Sequence, residues 1–147
     1  MCIRDSVRLG ALDLGLQASV VRAKKVEDNE FLLFIPPDKV SAELKYHFED
    51  NDWSESSEIS FNATYVARQY NVSPTSDFAP VPDGYVLFGA EASTKLYLGD
   101  GRYLLSLEIQ NIMNTRYRDY TSLLRYFADE PGRQVYVRFG TEFGPER

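Results

Sequence analysis

The chain has 147 residues, with 22 acidic and 16 basic side chains, a net charge of −6, and a single cysteine and histidine. That length holds one domain at most; one cysteine excludes a disulfide framework and a cysteine-cluster metal site, and His47 alone excludes a multi-histidine centre. The acidic balance without a basic run argues against nucleic acid as a partner, and no stretch approaches the roughly 20 apolar residues of a membrane helix.

Taken in chain order, the opening Met1 to Ser6 looks like no strand and is set aside as a non-native leader. From Leu12 the residues alternate: Leu12, Leu14, Leu16, Ala18 and Val20 oppose Asp13, Gly15, Gln17 and Ser19. After a long link, Ala23 to Lys39, the segment Val40 to Glu49 sets Val40, Ala42, Leu44, Tyr46 and Phe48 against Ser41, Glu43, Lys45, His47 and Glu49. Side chains alternate across a strand, so this pattern predicts strands with one apolar and one polar face. A polar turn, Asp50 to Ser57, leads to Ile59–Ala67, where Ile59, Phe61, Ala63 and Tyr65 oppose Ser60, Asn62 and Thr64. A second long link, Tyr70 to Gly84, precedes Phe88, Ala90, Ala92, Thr94 and Leu96 opposite Gly89, Glu91, Ser93 and Lys95. Gly99-Asp100-Gly101-Arg102 carries an Asp-Gly hairpin signal, then Leu105, Leu107 and Ile109 oppose Ser106, Glu108 and Gln110. A third long link, Thr115 to Gly132, leads to Val135, Val137, Phe139 and Phe143 opposite Gln134, Tyr136, Arg138 and Glu142.

Six two-faced strands joined by alternately short and long links imply a sheet trimmed at one end and elaborated at the other. Outer-membrane barrels have this arrangement, with apolar residues toward lipid and polar residues toward a wet lumen. A soluble sandwich also alternates, so period alone does not separate the two. Aromatic placement favours the membrane: Tyr46, Phe48, Tyr97, Tyr103 and Phe143 fall near the short turns, and Tyr65, Tyr70, Tyr85 and Phe88 near the long links, as in interfacial girdles.

The stretch from Leu107 to Ser122, with Asn111-Ile-Met-Asn114 followed by Tyr117, resembles the penultimate strand and last outer loop of TonB-dependent outer-membrane receptors. The continuation from Leu124 to Gln134 looks like that family's loop end, where Gly132-Arg133 opens the final strand, and Phe143 matches the terminal aromatic. Phe34-Ile-Pro-Pro-Asp-Lys-Val-Ser41 is similar to the family's Pro-Pro approach to a strand. The resemblance implies an all-β, antiparallel transmembrane barrel fragment: residues 7–143 as C-terminal strands, with a short tail, 144–147, where the family usually stops. Neither a plug domain nor a TonB box is recognisable, and six strands do not close a barrel of roughly 22, so the chain reads as a fragment that forms an open sheet when alone. By the same resemblance the setting is the outer membrane of a Gram-negative bacterium. The partners are outer-membrane lipid, the receptor's own plug domain and TonB, and the barrel-assembly machinery, for which Phe143 would be the C-terminal signal. The cargo is a scarce small-molecule nutrient, such as a ferric siderophore, haem or another metal complex. A passive porin-like barrel and a soluble lipocalin-like ligand-binding protein are the alternatives.

In this reading Glu43, Lys45, His47, Glu91, Lys95, Glu108 and Arg138 face the lumen. His47 has no second metal ligand beside it, and no cofactor is expected. Glu43, Glu91 and Glu108 could be imagined as a general acid and base, but a solvated wall explains them without enzyme chemistry. Asp129-Glu130 with Asp119 reads as a charged loop rather than a cation site. Tyr117, Tyr120, Leu124 and Phe127 recur at roughly helical spacing, which predicts a short helical turn packed on the rim, with Arg116, Arg118 and Arg125 turned to solvent or ligand.

Overall fold

The computed structural model of the protein describes residues 1–27, 29–72, 77–99 and 101–142, the side chain of Glu142 excepted. Seven strands appear: β1 (Cys2–Leu9), β2 (Leu12–Ser19), β3 (Lys39–His47), β4 (Ser54–Val66), β5 (Tyr85–Leu98), β6 (Gly101–Gln110) and β7 (Gln134–Glu142). They form one antiparallel sheet in chain order, each strand pairing with its sequence neighbours. The six predicted strands are all present, with β4 and β5 extended at their starts.

β1 corrects the sequence reading of Met1–Ser6 as no strand. Cys2, Arg4, Ser6 and Arg8 lie across from Ser19, Gln17, Gly15 and Asp13, and Ile3 and Val7 lie across from Ala18 and Leu14. The alternation was there but is interrupted by Asp5 on the apolar side, opposite Leu16. The turn that makes the hairpin is Gly10-Ala11, where Gly10 takes φ +64°. That left-handed backbone at the first central position of a two-residue loop favours glycine and matches the twist of the strands it joins.

Register carries the two faces across the whole sheet. Val7, Leu14, Leu44, Phe61, Ala90, Ile109 and Val135 are successive partners in one row, and Arg8, Asp13, Lys45, Ser60, Glu91, Glu108 and Tyr136 are successive partners in the next. Neighbouring rows point to opposite sides, so one face is apolar on all seven strands. Nothing packs on it: Phe61 is 53% exposed and Val137 69%, and among the described residues only Val66 and Tyr120 are buried apolar side chains. Among the described residues the sheet is a single layer without a hydrophobic core beneath it. Its outer strands, β1 and β7, do not meet.

The short links β1–β2, β3–β4 and β5–β6 leave from one end of the sheet, and the three long links β2–β3, β4–β5 and β6–β7 leave from the other. A bulge near the short-turn end of β4 fits one extra residue between Glu55 and Glu58 against Lys95 to Ser93, with Ser56 at φ +52°. The extra residue restores parity: Glu55 faces Lys95 on the polar side, and Ile59 onward keeps its apolar residues on the other.

Candidate functional site: the polar wall and the loop rim

All seven residues predicted to line a lumen, Glu43, Lys45, His47, Glu91, Lys95, Glu108 and Arg138, share the polar face by register. The structure groups them into small charge networks. His47 Nε2 lies 2.9 Å from Asp13 Oδ2, and its Nδ1 lies 3.5 Å from Glu58 Oε2. Arg8 grips the same Asp13 with two donors at 2.7 Å, and Lys45 reaches Glu58 at 3.4 Å. Arg8, Asp13 and Glu58 were not singled out from the sequence, although Asp13 alternates with Leu12 and Leu14 in the same period. Farther along, Glu91 stands opposite Glu108, a like-charge pair. Arg138 relieves it by donating to Glu108 Oε2 at 2.6 Å, and Gln110 donates to Oε1 at 2.6 Å. Glu43, by contrast, lies between Gly15 and Asn62, in a different row from Glu91 and Glu108. A recess of about 750 Å³ runs along the polar face of the first four strands, with Arg4, Glu43, Lys45 and Asn62 among its walls. Among the described residues, no group of three or more His, Cys, Asp or Glu side chains is placed to hold a metal ion.

Two of the girdle aromatics lie on the polar side. Tyr97 pairs with Arg102 and donates its hydroxyl to Glu55. Tyr85 donates to Asp119 at 2.8 Å and packs its ring, tilted by 36°, against Tyr117 with centroids 4.4 Å apart. Tyr46 with Phe48, and Tyr103 with Phe139, are the aromatic pairs of the apolar side. Phe143 lies outside the described residues, as does Asp100 of the hairpin signal.

The Asn111-Ile-Met-Asn114 element is a turn that ends β6. Asn111 and Asn114 both take left-handed backbone, φ +49° and +54°, which asparagine tolerates better than most residues. The Asn111 amide bridges the turn, accepting from Thr115 N at 2.8 Å and donating to Thr115 O at 2.9 Å. Asn114 Oδ1 accepts from Arg133 N at 2.9 Å, and Arg133 Nε donates to Ile112 O at 2.8 Å, so the two Asn and the Gly-Arg pair close the base of the third loop. A Cβ at Gly132 would stand 2.5 Å from Asn114 Oδ1, so a larger residue there would push that side chain off Arg133 N. The other two loops are also clamped at their bases, by Arg22–Asp38 at 2.6 Å and Arg68–Asp83 at 2.9 Å.

Above these bases the rim departs from expectation. A short 3₁₀ turn forms over Leu123–Tyr126, but Leu124 and Phe127 are 55% and 86% exposed rather than packed on the barrel. Arg125 points inward instead of to solvent and is 1% exposed. Its Nη2 donates to Asp77 Oδ2 at 2.5 Å and to the Tyr126 hydroxyl at 2.8 Å, and Tyr126 donates to Asp77 Oδ1 at 2.9 Å. The rings of Tyr126, Tyr120 and Phe34 surround the guanidinium at 4.5, 4.7 and 5.8 Å. A buried cation needs a counter-charge and aromatic faces, and 3.6-residue spacing does not report either. The signal in the sequence is Arg125 itself, set inside Leu-Leu-Arg-Tyr-Phe. Burial pushes the Asp77 carboxyl up, but hydrogen bonds from Arg125, Tyr126 and the Ala79 N–H outweigh it and hold it below the ordinary range.

Arg118 is also engaged, donating to Asp129 Oδ1 at 2.7 Å and to Arg125 O at 2.9 Å, while Arg116 stays exposed. The acidic trio is thus divided: Asp129 belongs to Arg118, and Asp119 accepts from Tyr85 and Thr121. Asp119, with Tyr117, Lys39 and Glu130, lines a second recess of about 500 Å³ under the rim. No protein-family profile, curated protein or solved structure matches the chain.

Proposed function

We propose that the chain is the C-terminal part of the barrel wall of a TonB-dependent outer-membrane receptor. The observation that carries this reading is the apolar face left bare on seven consecutive strands, backed by a charged face of matching extent. In water such a face would need a second layer, since each exposed apolar Å² costs about 25 cal/mol. Hydrocarbon covers it without one, and strands of 8 to 14 residues are of the length that spans a bilayer when tilted. Segregation of short turns and long loops to opposite ends fits periplasmic and outer sides. The turn closed by Asn111, Asn114 and the Gly132-Arg133 pair gives those four residues of the family-like element a physical role.

In this reading the chain makes and breaks no bonds. Its polar face meets plug and solute, its loops meet the incoming nutrient, and lipid meets Leu44, Phe61 and their row. Energy passed through TonB to the plug opens the path. The test is fractionation and uptake with the full polypeptide its gene encodes. The protein belongs in the outer-membrane fraction, released only by detergent, and solute accumulation stops when TonB is removed. Recovery in the aqueous fraction without detergent overturns the membrane reading; uptake that persists without TonB replaces the receptor with a passive porin.

A further inference from the structure

The three long loops meet around one side chain. Arg125 belongs to the third loop, Asp77 to the second and Phe34 to the first, and the guanidinium touches all three. We propose that the Arg125–Asp77 pair is a latch that makes the three long loops one conformational unit, so that displacing one loop releases the other two.

The geometry makes the contact all-or-none. Among the described residues, Arg125 Nε and Nη1 are buried without a hydrogen-bond acceptor, and the cation is held there by one carboxylate, one phenol and three ring faces. Asp77 is less enclosed than its partner, though its side chain is only 7% exposed. If the second loop withdraws Asp77, the guanidinium is left in a dry cage without a counter-charge, a state more costly than moving out. Moving out removes the floor on which Phe34, Tyr120 and Tyr126 pack, so the Phe34–Tyr120 ring pair between the first and third loops, with centroids 6.4 Å apart, loses its support. The first two loops are also tied by neutral hydrogen bonds, Gln69 Nε2 to Ile35 O at 2.8 Å and Ala67 N to Asp38 O at 2.9 Å, each weaker than a charged one. Within the third loop, Arg118 ties Arg125 O to Asp129, so Arg125 carries its segment with it. Two packings separated by the loss of one ion pair are the usual basis of a switching element. The inference needs only that the loops share one end of the sheet, and it stands apart from the membrane reading.

Hydrogen exchange on the full polypeptide its gene encodes, purified in whatever solvent keeps it monodisperse, tests this with Asp77→Asn. Amides around Phe34 in the first loop and from Tyr120 to Ala128 in the third should exchange about tenfold or more faster, with β3 to β5 unchanged. Faster exchange confined to the second loop overturns the latch. Where Asp77→Asn is not recovered folded, Tyr126→Phe decides, because it removes only the hydroxyl between Arg125 and Asp77. The same three-loop pattern at smaller amplitude supports the proposal. No change outside the third loop refutes it.

Discussion

Asn111 shows how much one side chain settles at the residue scale. Its left-handed backbone stops β6, and its amide replaces two backbone hydrogen bonds that the turn lacks. Asn111→Ala should therefore cost about 1–3 kcal/mol, read as a lowered midpoint of thermal unfolding. An unchanged midpoint would mean that the turn holds without the bridge. Asp77 makes a pH prediction with a definite sign. Its carboxyl is held below the ordinary range in the folded loops, so its contribution is complete above roughly pH 4, the unfolded value, and is lost only as pH falls through the depressed one. Protease resistance of the long loops should stay level from pH 8 to 5 and drop in stronger acid. A drop between pH 7 and 5 would place the controlling group elsewhere.

At the element scale, each strand separates an apolar face from a polar one. Leu44 and Glu43 are adjacent on β3 and point to opposite sides, both of them exposed. Leu44→Arg places a guanidinium on the proposed lipid face, at a cost of about 2–4 kcal/mol near the bilayer midplane, whereas Glu43→Arg stays in the wet recess. Heat-modifiable gel mobility of the full polypeptide should show impaired folding for Leu44→Arg and near-normal folding for Glu43→Arg. Equal effects would remove the distinction between the faces on which the membrane reading depends. The bulge at Ser56 belongs to the same logic, since without the extra residue Glu55 would turn from Lys95 to the apolar side.

For the whole molecule, the decisive feature is that nothing among the described residues closes the sheet. Seven strands give six pairings, and the outer edges of β1 and β7 have no partner among the described residues. An exposed edge is a template for aggregation in water, and in hydrocarbon each unpaired N–H and C=O costs several kcal/mol. Refolding of the 147-residue chain by itself into detergent should give aggregated or protease-sensitive material. A monodisperse, protease-resistant monomer with a cooperative melt would show that it is not a fragment of a larger barrel. Orientation is open to labelling of single cysteines in intact cells. Phe78→Cys in the second long loop should react and Asp52→Cys in the short β3–β4 turn should not; the reverse would invert the wall.

How far the sequence alone reached follows from which interactions are local. Strand faces were legible because alternation at period 2 is written residue by residue, and the Asn-Ile-Met-Asn and Gly-Arg elements because a turn is chosen by side chains a few positions apart. The alternation of short and long links was equally plain, and with it the end at which the loops gather. β1 was missed because Asp5 breaks a short pattern that only pairing with β2 makes sense of. The inward turn of Arg125 depends on Asp77, 48 residues away, and on Phe34 from a third segment. The pairing of His47 with Asp13 likewise crosses 34 positions. A buried charge takes its position from the partner that neutralises it, and when that partner is distant in the chain only the tertiary structure can supply it.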